Sequence, residues 1–91
     1  MGWREFATKF HNQFADAMML CEGRVLMKKE IIEMLLRRFP ELREMEDWLY
    51  PSDHCKNHTN KGACYCAETN TAIFERLDRE TYRVLKAIHL P

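Results

Sequence analysis

Trp3, Phe6, Phe10, Phe14, Ala17 and Cys21 recur at intervals of 3, 4, 4, 3 and 4 residues. That is one face of a 3.6-residue period, so the first segment is expected to be an amphipathic helix. Three Phe and one Trp on a single stripe are a heavy apolar load for a chain of 91 residues. A chain that short buries only about 60–65% of the surface its unfolded form exposes, so it can build one thin core. The stripe therefore reads as the main wall of that core, with Phe10 and Phe14 as core residues and Cys21 as a small buried hydrophobe. Its alternative is an aromatic docking face for a partner. Glu5, Lys9, Asn12, Gln13 and Asp16 fall mainly on the other faces. Gly23 is expected to end the helix.

Arg24-Val25-Leu26-Met27 fits a short extended segment. A second helix is expected from about Lys28 to Phe39, with Ile32, Leu35, Leu36 and Phe39 inward and Lys28, Lys29, Glu33 and Arg37 outward. Pro40 stops it, having no N–H for the ladder. Leu42, Met45 and Leu49 then suggest one or two turns lying on the core, with Trp48 and Tyr50 completing the packing. After Pro51, Ser52 or Asp53 can cap a short polar helix that Gly62 would end. Residues 70–90 fit either a helix or two strands around Asp78-Arg79-Glu80. The β-branched and aromatic run Thr81-Tyr82-Arg83-Val84 favours a hairpin.

Apolar residues make up 46% of the chain and charged residues 31%. That is a globular rather than a disordered balance. Fourteen basic and fourteen acidic side chains cancel, which excludes a strongly basic nucleic-acid binder and an acidic DNA mimic as descriptions of the whole molecule. The charge is uneven along the chain. Residues 41–53 carry one basic and five acidic groups, and the flanking parts each carry a net +2. A modest basic face elsewhere is compatible with these numbers. No apolar stretch approaches the ~20 residues of a membrane span, and Met-Gly-Trp-Arg-Glu lacks the pattern of a signal peptide. The reducing cytoplasm is the expected compartment, where cysteines serve as free thiols or metal ligands.

Cys55-x-x-His58 followed by Cys64-x-Cys66 is the sharpest local pattern. Zinc takes thiolate and imidazole ligands in a tetrahedron. Cys55 and His58 would share a face of a helix, and Cys64 and Cys66 a face of a strand. The site expected from these four residues is a closed, structural Zn2+ site, with His54 as a spare ligand. The spacing departs from the usual zinc patterns, and two plain thiols in a loop are the competing reading. A Cys–His catalytic dyad lacks any recognisable base, orienting group or oxyanion hole.

The run from His54 to Lys61 also suits nucleic acid. Lys56 and Lys61 can meet phosphates, and Asn57 and Asn60 can present amides to an adenine edge or to phosphate. Arg76, Arg79 and Arg83 on the hairpin can follow the backbone as a wing. The competing reading is a solvated surface and a charged turn.

Pro51-Ser52-Asp53-His54-Cys55-Lys56-Asn57, followed by Thr59-Asn60-Lys61-Gly62, resembles a P-S-D-x-C-x-N-x-x-N-x-G stretch. Such a stretch occurs in small winged-helix-like modules attached to HNH-type and other restriction-like endonucleases. Their closing hairpin carries F-E-x-L and Y-R-x-L, matched by Phe74-Glu75-Arg76-Leu77 and Tyr82-Arg83-Val84-Leu85. The helix from Lys29-Glu30-Ile31-Ile32 to Phe39-Pro40 is similar too, so the resemblance spans roughly residues 25–86. It implies a winged-helix fold and nucleic-acid recognition, with Asp53, Asn57 and Asn60 as the carried-over polar positions. The chain stops where a nuclease domain would begin, so catalysis is not expected. Cys55 belongs to the pattern and Cys64 and Cys66 do not, which allows Cys55 a structural role of its own.

The expectation is thus a single α+β domain over residues 1–91, winged-helix-like, with three helices followed by a β-hairpin. It binds DNA without catalysis. The alternative is a small phage-type inhibitor that binds a protein of a host defence complex, favoured by the neutral charge and the acidic connector. No membrane association is expected, and a homodimer is compatible with either reading.

Overall fold

The fold is that of a computed structural model, which describes residues 3–56, 66 and 71–89, and the side chains of these apart from 3–7 and 53. Helix α1 runs from Trp3 to Met18, strand β1 from Val25 to Met27 and helix α2 from Lys28 to Arg38. A 3-10 segment, Pro40–Trp48, and a single 3-10 turn, Pro51–His54, follow. Strands β2, Phe74–Arg76, and β3, Thr81–Val84, complete the order. The three strands form one antiparallel sheet in the order β1-β3-β2, so the last strand of the chain is the central one. This is an α+β domain with a winged-helix-like arrangement: helices packed on a small sheet that ends in a hairpin. The hairpin reading of residues 70–90 holds, and Val25–Met27 adds a third strand to it.

Helix α1 ends at Met18, short of Cys21 and Gly23. Its buried stripe is His11, Phe14, Ala15 and Met18, with Phe10 and Ala17 only partly covered. The core face is therefore turned by about one residue from the Phe10–Phe14–Ala17 line. Leu20 and Met19 stand in solvent beyond the helix end, and Cys21 is buried as expected. Gly23 keeps its importance for another reason: its φ of 82° lies in the left-handed region. That region costs an L side chain about 1–2 kcal/mol. From this turn the Gly23 N–H donates to the Val84 carbonyl at 2.7 Å, and the Val84 N–H donates to the Arg24 carbonyl at 2.8 Å. The reversal thus feeds the chain directly into pairing with β3.

Helix α2 starts with no side-chain cap at Met27; instead the Glu30 carboxylate accepts the Met27 N–H at 3.0 Å. A helix start leaves its first N–H groups without intrahelical partners. The Lys28 N–H, one of these, donates to the Glu80 carbonyl at 2.7 Å. The buried residues of α2 are Ile31, Leu35 and Leu36, while Ile32 and Phe39 are half-covered. Pro40 ends the helix as expected. Leu42 and Leu49 of the next stretch are buried, and a kink at Met45 divides it into two turns. Trp48 and Tyr50 are exposed, 59% and 45%, and do not complete the core. Tyr50 instead lies under the Lys28 ammonium, 5.4 Å from its ring centre.

The core is an aromatic ladder. His54 stacks at a tilt on Phe14, with ring centres 4.9 Å apart. Phe14 meets Phe74 edge-on at 5.9 Å, and Phe74 meets Tyr82 at 5.8 Å. Burial, which disfavours the charged form, is the main cause that holds the Tyr82 phenol above its ordinary pKa. Beyond β3 the chain returns across α1. His89 Nε2 lies 2.6 Å from the Asp16 carboxylate, and the Glu22 carboxylate accepts the Ala87 N–H at 3.3 Å. No helix among the described residues is long and apolar enough to cross a membrane.

Candidate metal centre and charged hairpin

The polar helix expected from Ser52 or Asp53 to Lys61 ends at His54. Its turn begins at Pro51 without a side-chain cap from Tyr50, and Cys55 is already extended, with φ −93° and ψ 143°. Cys55 forms a parallel bridge to Phe74. The Ile73 N–H donates to the His54 carbonyl and the Lys56 N–H to the Phe74 carbonyl, at 3.0 and 2.9 Å. Pairing with the sheet edge holds residues 55 and 56 out of a helix. Cys55 is fully buried, and its thiol donates to the Pro51 carbonyl at 3.5 Å. That geometry gives Cys55 a structural place in the turn and an extended backbone rather than the helical one expected there.

A different group converges. His11, His54 and Cys66 are buried, and their ligand atoms lie within 4.8 Å of one another. Three elements supply them: α1 contributes His11, the Pro51–His54 turn contributes His54, and the segment before Thr71 contributes Cys66. His11 Nδ1 and His54 Nδ1 are 3.3 Å apart, with the rings at 70° to each other. On its other side His11 Nε2 lies 2.8 Å from the Ile88 carbonyl. A carbonyl only accepts, so this nitrogen donates its N–H; in the neutral ring the inward Nδ1 then keeps its lone pair. The Cys66 carbonyl accepts the Thr71 N–H at 3.0 Å, which holds its backbone. This buried His–His–Cys group is able to hold a metal ion.

Of the residues named for metal in the sequence, Cys66 is in the group and Cys55 lies outside it, while the spare ligand His54 is a member. His58 and Cys64 lie outside the described residues. His11 escaped sequence reasoning because it sits between Phe10 and Asn12 and off the chosen stripe. A signal was present: His11 is in helical phase with Phe14, Ala15 and Met18, so a stripe drawn through them puts an imidazole in the core.

The residues named for nucleic acid fall into two sets. Asn57, Asn60 and Lys61 lie outside the described residues. Lys56 and Arg83 converge on Glu75, at 2.8 Å and 3.1 Å from its two carboxylate oxygens. Arg76 turns back to donate to the Asp78 and Arg79 carbonyls at 3.2 and 3.4 Å. Arg79 is exposed at the tip. The tip is tightened by Asp78, whose carboxylate accepts the Glu80 N–H at 2.9 Å. That bond is the largest cause holding the Asp78 carboxyl below the usual range.

Glu75 has a testable consequence. Its bond with the Lys56 ammonium, and secondarily the Arg83 charge, hold its carboxyl below the ordinary value of about 4.5. The unfolded chain therefore takes up this proton first as the solution is acidified. The stabilisation is complete above about pH 4.5, and it is lost as pH falls through the lower folded value. A Tm-against-pH series should be less steep on the acid side for Glu75→Gln than for the parent. Parallel profiles would show that the Lys56–Glu75–Arg83 cluster adds nothing in solution.

These features define a small α+β domain, winged-helix-like, with a buried group competent for metal and a hairpin rich in arginine. Its sequence matches a domain of unknown function (DUF7225) over residues 9–89, and the chain belongs to that family. Neither a curated protein nor a solved structure matches it.

Proposed function

We propose that this domain recognises duplex DNA and catalyses no reaction on it. The observation that supports the reading is the hairpin, which closes a winged-helix-like arrangement and carries Arg79 exposed at its tip beside Arg76. A wing of this kind lies along the phosphate backbone. The Asn57, Asn60 and Lys61 positions belong to the same reading through the resemblance of their motif. Lys56 and Arg83 are held by Glu75, so they contribute to DNA only when phosphate displaces that carboxylate. In the buried His–His–Cys group we expect zinc, as a brace for the fold.

The test is binding to duplex DNA over a range of salt. Arg79→Ala and Lys61→Ala should each reduce the slope of log K against log salt by about 0.9 for every phosphate the side chain neutralised. Glu75→Gln should steepen it by releasing Lys56 and Arg83. Asn57→Ala or Asn60→Ala should change which sequence is preferred. Absence of binding to any DNA at low ionic strength, where charge interactions are strongest, sinks the reading.

One observation favours a protein partner instead. Pro40–Trp48 follows α2, and it carries Glu41, Glu44, Glu46 and Asp47 against Arg43. Such a surface repels phosphate. Trp48 and Tyr50 are exposed beside it. Aromatic side chains are enriched at protein interfaces. The surface therefore suits a basic protein partner.

A further inference from the structure

We infer that His11 Nδ1, His54 Nδ1 and Cys66 Sγ are three ligands of one Zn2+ ion, and that this ion docks helix α1 onto the rest of the domain. The inference rests on the zinc reading of the buried group and is independent of DNA recognition.

The distances are those of a zinc site. Zinc–nitrogen bonds of about 2.0–2.1 Å set two imidazole ligands about 3.3–3.4 Å apart across a tetrahedral edge. The two Nδ1 atoms are 3.3 Å apart. A direct N–H···N hydrogen bond between the two rings is the competing explanation at this separation, and zinc uptake distinguishes the two. The nitrogen–sulfur edge of such a site is about 3.6 Å. The Cys66 sulfur and one ring nitrogen of each histidine lie within 4.8 Å of one another, close enough for a single ion to reach all three after side-chain adjustment.

The outer shell fits as well. A zinc-bound histidine usually donates its remaining ring N–H to a carbonyl or carboxylate, which fixes its tautomer and orientation. His11 does this through the Ile88 carbonyl at 2.8 Å. Both imidazoles and the thiol are almost completely buried, with Phe14 beside them. A metal ion binds the thiolate form of such a cysteine.

Connectivity gives the ion its role. His11 is on α1, His54 on the Pro51–His54 turn, and Cys66 precedes the hairpin. One ion therefore ties together three segments that are separate in sequence. Ile88 adds the C-terminal segment through its carbonyl. Among the described residues the group has three members. Zinc is four-coordinate in structural sites, so one further ligand completes the set.

The full chain, expressed with zinc and purified without chelator, should carry one equivalent by elemental analysis. Cobalt put in place of zinc should give the absorption of a tetrahedral site, with a thiolate-to-cobalt charge-transfer band. Cys66→Ser should lose that band. His11→Gln should lower zinc affinity by more than the about 10–100-fold that removal of an outer-shell partner costs. Chelation should raise hydrogen exchange in α1 and in residues 85–89 of the parent, a readout that needs no variant to fold. His89→Asn, an exposed change beside α1, should leave stoichiometry and spectrum as they are. A parent that takes up no zinc on reconstitution, with unchanged exchange, overturns the zinc reading and the inference together. Zinc that stays bound with the same cobalt spectrum in both the His11 and Cys66 variants overturns the ligand assignment alone. Neither result depends on whether DNA binds.

Discussion

Phe14→Ala is expected to destabilise the domain by about 3–5 kcal/mol, and Phe10→Ala by distinctly less. The two residues look alike in the sequence, one helical turn apart. Phe14 is fully buried and touches both His54 and Phe74, at ring-centre distances of 4.9 and 5.9 Å. Phe10 is only partly covered. A chain of this length holds a total stability of about 5–14 kcal/mol, at about 0.05–0.15 per residue. Truncating Phe14 therefore takes away a large share, and the variant should melt far below the parent. Urea unfolding with the slopes compared would measure it. Equal effects at both positions would mean that the core face of α1 runs where the simple Phe10–Phe14–Ala17 stripe puts it.

The second large effect belongs to α2. Ile31→Ala should cost about 2–5 kcal/mol, the range for emptying a core aliphatic site. Ile31 is fully buried, whereas its neighbour Ile32 is half-covered at the groove between α2 and the acidic segment. Ile32→Ala should fall clearly below that range. The same unfolding series decides it, and a larger effect at Ile32 than at Ile31 would reverse the assigned face of the helix.

Both predictions turn on helix phase, and phase is where the sequence is least informative. In α1, Trp3, Phe6, Phe10 and Phe14 make one periodic line, and His11, Phe14, Ala15 and Met18 make another that shares Phe14. Counting large apolar side chains favours the first. Among the described side chains packing favours the second, because the Pro51–His54 turn and β2 lie against it and supply the partners for an imidazole and a phenyl ring. The metal-competent group was legible only in part for the same reason. Cys66 and His54 could be picked out by ligand chemistry near the other cysteines. His11 is 43 residues from His54, and no spacing rule joins them.

The charged residues show a similar division. Lys56, Arg76 and Arg83 read equally well as free phosphate-binding groups. Glu75 pairs with Arg83 across the β2–β3 register and is met by Lys56 from the neighbouring bridge at Cys55. Arg76 is taken by carbonyls of its own turn. All three hairpin arginines are exposed, and Arg79 is the one at the tip, between Asp78 and Glu80.

What the chain by itself determined is the local order: a helix rich in aromatics, a break at Gly23, a helix ended by Pro40, a break at Pro51 and a β-branched hairpin around Asp78-Arg79-Glu80. Each of these follows from backbone chemistry or short-range periodicity, which act over a few residues and need no partner. Tertiary structure alone decided the rest. It chose which face of α1 and α2 is buried, drew Val25–Met27 onto the far edge of β3, and ended the polar turn at His54 by pairing Cys55 with Phe74. It also brought His11 to His54 and Cys66. These outcomes depend on burial and hydrogen bonding between segments distant in sequence, and their energies exist only once the segments have met.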